Sequence, residues 1–256
     1  MEVVVVTDQA ELDRVGAELV SGWLGPAPRG TLLAALGTTP LGIYRELVAR
    51  REAGTLDTSR LTLLQLDAYL GLGPDDPRSL HGWLRRDVAG PLGIPDDRLI
   101  GLRGDAVDPE AACRPYDAAV AACGGIDVSI LGLGPNGHLG FNEPPSAPDA
   151  PTRVVDLTAE SLDSNARYWG GRDRVPRRAL TAGMPLLLAA RRTLLVVAGA
   201  HKREILHRTL REAPSPAVPA SLLRTVPGVT ILADRAALPD WPADTPTPVR
   251  PGAVDG

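Results

Sequence analysis

Short apolar runs bounded by Gly or Pro recur along this chain and alternate with longer stretches of helical period, and this alternation most constrains the fold. The runs fall at 3–6, 31–36, 61–66, 127–133, 193–199 and 229–234, with helical stretches predicted at 8–23, 40–53, about 79–89, 108–122 and 201–212. A strand that is apolar on both sides has no face for water, so such strands between amphipathic helices require a parallel sheet covered on both faces. The fold class is therefore α/β, a doubly wound, mostly parallel Rossmann-like sheet in a single domain. That domain is expected to span 1–234. Residues 235–256 are rich in Pro, Ala and Asp and read as a loose tail.

In open sheets of this kind ligands bind outside the carboxyl ends of the strands, where loops lead into helices. Four such loops carry chemistry. After 31–36 comes Gly37-Thr38-Thr39-Pro40. Its glycine, hydroxyls and helix N-terminus suit a phosphate, although the same residues also make a plain helix cap. After 61–66 comes Asp67, where burial would raise a carboxyl toward a usable base. An Asp there would equally cap the next turn. After 127–133 comes GLGPNGHLGFNEPP, Gly132 to Pro145, whose glycines allow Asn136, His138 and Glu143 to converge. Histidine can shuttle a proton at neutral pH, and a nearby carboxylate fixes its tautomer and supports its charged form. After 193–199, Lys202 stands in the first predicted turn of a helix, where a cation opposes the dipole unless it meets an anion. Arg167 in SNARYW is a candidate partner for that anion.

Composition sharpens these suspicions. The chain has 26 Arg but one Lys (Lys202), one Phe (Phe141) and three Asn (Asn136, Asn142, Asn165). Three of these five rare residues lie in the glycine-rich loop, and a solvated Lys could have become Arg at little cost. Phe141 reads as core. The net charge of −4 without single-sign blocks offers no footprint for nucleic acid or an anionic membrane. A small-molecule partner is expected. No run reaches the roughly 18 apolar residues of a membrane span, and the N-terminus lacks a leader pattern, so a cytoplasmic protein is expected. Cys113 and Cys123 fit no metal spacing and read as reduced thiols. His138, Glu143 and Asp67 lack a second His or a Cys beside them, so no metal site is expected.

The segments LGTTPLGIYREL, LLQLDAYLGL, GGIDVSILGLGPNGHLGFNEP, SNARYW with VPRRALTAGMPLLLAARR, and LLVVAGAHKREIL match, in order, those of glucosamine-6-phosphate deaminases. The chain resembles that family up to about Asp234. The resemblance implies cofactor-free conversion of glucosamine 6-phosphate to fructose 6-phosphate and ammonia. It implies Asp67 as the base moving a proton between C2 and C1, His138 as the ring-opening group, and Asn136 and Glu143 as its supports. Gly37, Thr38, Thr39, Arg167 and Lys202 would hold the phosphate. Family members are usually oligomeric, which makes a homo-oligomer an expectation. The chain departs from the family pattern with Ala68 in place of Glu, Leu36 in place of Thr, and Val155 in place of one of two basic residues that serve allosteric members, while keeping Arg153. Regulation by N-acetylglucosamine 6-phosphate is therefore not expected. Related readings are a lactonase for 6-phosphogluconolactone, which has no use for a base at C2, and a non-catalytic sugar-phosphate sensor. Residues 144–175 read as a Pro- and Arg-rich lid.

Overall fold

The computed structural model describes residues 1–26 and 29–238. Seven parallel strands form the central sheet in the order β1-β10-β9-β6-β2-β3-β5. These are β1 (Glu2–Val6), β2 (Thr31–Ala34), β3 (Thr62–Gln65), β5 (Leu99–Ile100), β6 (Val128–Gly132), β9 (Arg192–Val197) and β10 (Val229–Asp234). Alternate residues of each strand serve opposite faces. Leu33, Leu64, Leu131, Leu195 and Ile231 face one core, while Leu32, Leu63, Ile130, Leu194 and Leu232 face the other. The second core is closed by helices α1 (Gln9–Leu24) and α2 (Leu41–Glu52) through Leu12, Val15, Ile43 and Leu47. The first is closed by α4 (Pro109–Ala122) and α7 (Arg203–Arg211) through Tyr116, Val120, Leu206 and Leu210. Each such leucine contributes about 1.5–3 kcal/mol by leaving water, so the two layers fix the register of the sheet between them.

Strand order reverses between β6 and β2, and the loops after these strands open on the same edge. Just beyond β3 the chain leaves the parallel sheet and enters a second one. This is a three-stranded antiparallel sheet, β4-β8-β7, made from β4 (Asp67–Tyr69), β8 (Arg178–Thr181) and β7 (Arg153–Asp156). The apolar pattern did not announce it, because strands of three or four residues are too short to show a period. The remaining helices are α3 (Leu80–Leu84), which continues as a wider π-turn to Ala89, α5 (Ala159–Trp169) and α6 (Met184–Leu188).

The expected lid, 144–175, contains β7 and α5. Thr158 caps α5 by accepting from the Ser161 N–H, and Gly170 ends it in the left-handed conformation, φ 67°. Cys113 and Cys123 are free thiols, the first buried. No described helix is long and apolar enough to cross a membrane. Residues 235–238 remain attached to the sheet through the Arg235 N–H to Val6 O bond. The rest of the expected tail, 239–256, lies outside the described residues.

Candidate active site

A cavity of about 620 Å³ opens at the carboxyl edge of the parallel sheet. Gly37, Thr38, Thr39, Asp67, His138, Arg167 and Lys202 all line it, so five separate loops and helices bring the expected residues together. Asn136 and Glu143 do not line it. They stand behind His138 and are hydrogen-bonded to it.

The His138 loop is held by a compact hydrogen-bond set. Glu143 Oε2 lies 3.2 Å from His138 Nδ1 and accepts from Asn136 Nδ2 at 2.9 Å and from Thr158 Oγ1 at 3.2 Å. Ser161 Oγ also lies 3.2 Å from His138 Nδ1, and Asn136 Oδ1 accepts from the His138 N–H at 3.3 Å. Burial alone would raise the Glu143 carboxyl, but the bonds from His138, Ser161 and Asn136 and the charge of His138 overcome it and hold the group down at about 2. An acceptor that stays ionised fixes the imidazole with its proton on Nδ1, which leaves Nε2 as the basic nitrogen. Gly134 makes room for that ring: a Cβ there would collide with His138 Cδ2 and Nε2. Gly137 and Gly140 turn the loop at φ 87° and 59°, a region other residues rarely adopt.

Asp67 begins β4 and is partly buried, and no side-chain partner is found for its carboxyl among the described residues. Loss of hydration raises it from an ordinary 3.8 to about 7. The same carboxyl is thus ionised in useful amount at neutral pH and still basic enough to take a proton from carbon. Its backbone carbonyl accepts from Gln65 Nε2 at 2.7 Å, which anchors the start of β4.

Two cations, Arg167 and Lys202, also line the cavity. Lys202 closes a 3-10 turn, Ala200–Lys202, and forms the cap of α7 rather than its first turn. Its Nζ donates to Leu133 O at 2.7 Å, and burial, together with the nearby Arg167 charge, lowers its pKa to about 8. Arg167 Nη2 donates to the Tyr168 hydroxyl at 2.9 Å and reaches Thr38 Oγ1 at 3.5 Å. That hydroxyl also accepts from the Thr38 N–H at 3.2 Å. Two cations and a backbone donor therefore converge with, among the described residues, no carboxylate paired to either cation, an arrangement that suits a dianion. Among the described residues no group of three or more His, Cys, Asp and Glu is placed to hold a metal ion.

Sequence reasoning missed Thr158, Ser161 and Tyr168. Thr158 followed three residues later by Ser161 could have marked the start of α5, but Ser, Thr and Tyr are too common at caps and surfaces to suggest a role at a site.

The model of the family described as glucosamine-6-phosphate isomerases/6-phosphogluconolactonase matches residues 27–232. A glucosamine-6-phosphate deaminase of Halothermothrix orenii is 38% identical over 93% of this chain and 98% of its own. One from Streptomyces avermitilis is 40% identical over 93% of this chain and 91% of its own. A solved structure described as a monomeric glucosamine-6-phosphate deaminase superposes with a TM-score of 0.89 at 35% identity, covering 93% of this chain and 98% of its own. The 6-phosphogluconolactonase of Trypanosoma brucei superposes with a TM-score of 0.72 at 20% identity over 92% and 97%, a likeness of fold alone. With its cavity formed at the expected loops and most of its length matched, this chain belongs to the glucosamine-6-phosphate isomerase/6-phosphogluconolactonase family.

Proposed function

We propose that this protein is a glucosamine-6-phosphate deaminase, converting glucosamine 6-phosphate and water to fructose 6-phosphate and ammonia. The observation that carries the reading is a single cavity lined by a carboxyl that burial pushes up to about 7, by an imidazole paired with a carboxylate, and by the cations Arg167 and Lys202. Two deaminase relatives at 38% and 40% identity support the same substrate.

In this reading Arg167, Lys202 and the Gly37–Thr39 turn bind the phosphate and set the sugar's direction. His138 Nε2 takes the O1 hydroxyl proton and passes it to the ring oxygen, which opens the pyranose to the aldehyde. As O1 takes a proton from the C2 ammonium group, Asp67 removes the C2 proton, and its C–H electron pair becomes the C1=C2 bond of an enolamine. The same proton returns to C1, leaving an imine at C2. Water adds to that carbon, and ammonia leaves as the ketone forms. Every step is proton transfer or hydration, so the reaction calls for no redox or electron-sink group. A lactonase would leave a base at C2 idle.

A sugar phosphate is an intracellular type of metabolite, which supports a cytoplasmic place. The relative described as monomeric favours one working copy over the homo-oligomer expected from the family at large. Light scattering of the purified protein checks this. A folded domain ending near residue 234, followed by a tail, is proposed on the composition of 235–256.

The test is ammonia release from glucosamine 6-phosphate by the purified protein without added metal, beside Asp67→Asn and His138→Gln. Ammonia and fructose 6-phosphate in equal amounts from the wild type, with both variants reduced at least about 100-fold, are expected. Wild-type protein that binds the sugar phosphate without turnover would refute the reading.

A further inference from the structure

In an antiparallel ladder, residues directly opposite one another project to the same face. Thr181 of β8 is opposite Asp67 on one side and opposite Arg153 on the other. One row of three side chains thus crosses the small sheet, and it starts at the residue read as the carbon base.

The other two members of the row grip the loop that carries His138 and Glu143. Thr181 is fully buried, and its Oγ1 accepts from the Phe141 N–H at 3.1 Å and from Asn142 Nδ2 at 3.3 Å. Arg153 is half-buried and, among the described residues, forms no ion pair; its Nη1 donates to Asn142 Oδ1 at 2.8 Å and to Pro151 O at 3.1 Å. Its Nη2 donates to Ser146 Oγ at 2.8 Å, and that hydroxyl donates onward to Glu143 O at 2.6 Å. Asn142 is itself fully buried and also donates to Leu139 O and Ala182 O, each at 2.9 Å. The loop comes so close that a Cβ on Gly140 would sit 3.0 Å from Leu66 Cγ and 3.1 Å from Thr181 Oγ1. Leu66 is the residue before Asp67, and its carbonyl accepts from the Ala182 N–H at 2.9 Å. Neither Thr181 nor Arg153 lines the cavity.

We propose that Thr181 and Arg153 are positioning residues that hold the His138–Glu143 pair in register with Asp67 through the Asp67–Thr181–Arg153 row. The inference rests on the deaminase reading, in which imidazole and carboxylate must reach neighbouring atoms of one sugar. Misplacement of a reacting group by about 1 Å can cost about 100-fold in rate, while the bonds of Thr181 and Arg153 reach none of Gly37–Thr39, Arg167 and Lys202. Arg153 spends two of its three bonds on Asn142 and Ser146, which gives a physical use for a cation kept beside Val155.

The experiment compares wild type with Thr181→Val, Thr181→Ser and Ser146→Ala on glucosamine 6-phosphate, with melting temperatures alongside. Valine keeps the shape and removes the acceptor, whereas serine keeps the acceptor. Expected are a kcat at least about tenfold lower for Thr181→Val with KM within about threefold, a kcat within about twofold for Thr181→Ser, and a loss of about threefold or more for Ser146→Ala. Equal loss in the valine and serine variants, or loss expressed only in KM, overturns the proposal. Should Thr181→Val not fold, Ser146→Ala decides, and an unchanged kcat there overturns it. Should the wild type release no ammonia, the functional reading fails first. The ¹⁵N shifts of the His138 imidazole still read the loop's placement, and shifts identical in Thr181→Val and wild type overturn the positioning role.

Discussion

Replacing Asp67 by Asn should stabilise the protein, and the gain should grow with pH in a defined window. Burial moves the carboxyl from 3.8 to about 7 in the folded state, whereas the unfolded chain ionises it near its ordinary value. Below about pH 4 the group is neutral in both states and costs nothing extra. Between about 4 and 7 the unfolded chain releases the proton and the folded chain keeps it, so stability falls by about 1.4 kcal/mol per pH unit. Above about 7 both states are ionised and the penalty stays constant at about 4 kcal/mol, an upper bound for a group open to the cavity. The amide of Asn carries no charge at any of these pH values, so it removes the pH-dependent part alone. For a chain of this length, 1 kcal/mol moves Tm by about 2–4 °C. The variant should therefore melt about 8–16 °C above the wild type at pH 8 and only about 3–6 °C above it at pH 5. Thermal unfolding at the two pH values, without ligand, measures both gaps. Equal gaps at pH 5 and pH 8 would refute the argument that desolvation prepares this carboxyl, whatever the variant does to turnover.

Three further outcomes follow from the same cavity. The kcat/KM for glucosamine 6-phosphate should rise with pH as Asp67 loses its proton through about 7 and fall as Lys202 loses its charge above about 8. A profile measured from pH 5.5 to 9.5 that stays flat below 7 would rule out Asp67 as the base. Glu143→Gln offers His138 Nδ1 an amide that can donate as well as accept, so the tautomer is no longer fixed, and kcat should drop about 100-fold or more with little change in KM. Tyr168→Phe frees the Thr38 N–H and one Arg167 donor that now serve the tyrosine hydroxyl. A net hydrogen bond of about 1 kcal/mol predicts sugar-phosphate binding tighter by about fivefold, read by calorimetry with fructose 6-phosphate.

How much of this was legible in the sequence depended on the range of the forces involved. The parallel strands were readable because burial on both faces leaves uninterrupted runs such as VSIL and TLLVV, and the order of those runs located the loops at one edge. Asn136, His138 and Glu143 were readable because glycine frequency and residue rarity are local properties. The second sheet was not, since β4, β8 and β7 span only three or four residues each and are stabilised by partners about 20 to 110 positions away. Thr158, Ser161 and Tyr168 were hidden for a related reason. A hydroxyl becomes a site residue only through what the fold sets against it, and Tyr168 meets Thr38 across 130 positions.

The two departures from the family pattern near the site are unequal once the strand geometry is known. Successive residues of β4 point to opposite faces, so with Asp67 toward the cavity, Ala68 turns away. It is 5% exposed, packs in the same core as Leu33, Leu64 and Leu131, and lines a separate space of about 390 Å³ with His81, Gly101 and Arg103. Leu36, by contrast, lines the substrate cavity beside Gly37. Loss of a glutamate at 68 therefore removes nothing from the cavity lining, whereas a leucine at 36 takes a hydroxyl from it. Restoring Thr at 36 should lower KM by about fivefold, the worth of one neutral hydrogen bond. Restoring Glu at 68 should leave KM within about twofold and shift Tm instead, because the carboxylate enters the separate space lined by His81 and Arg103 and not the substrate cavity. Steady-state kinetics and melting curves on Leu36→Thr and Ala68→Glu separate the two effects. A larger change in KM from position 68 than from position 36 would mean that β4 presents its other face to the substrate, and the assignment of Asp67 as base would fall with it.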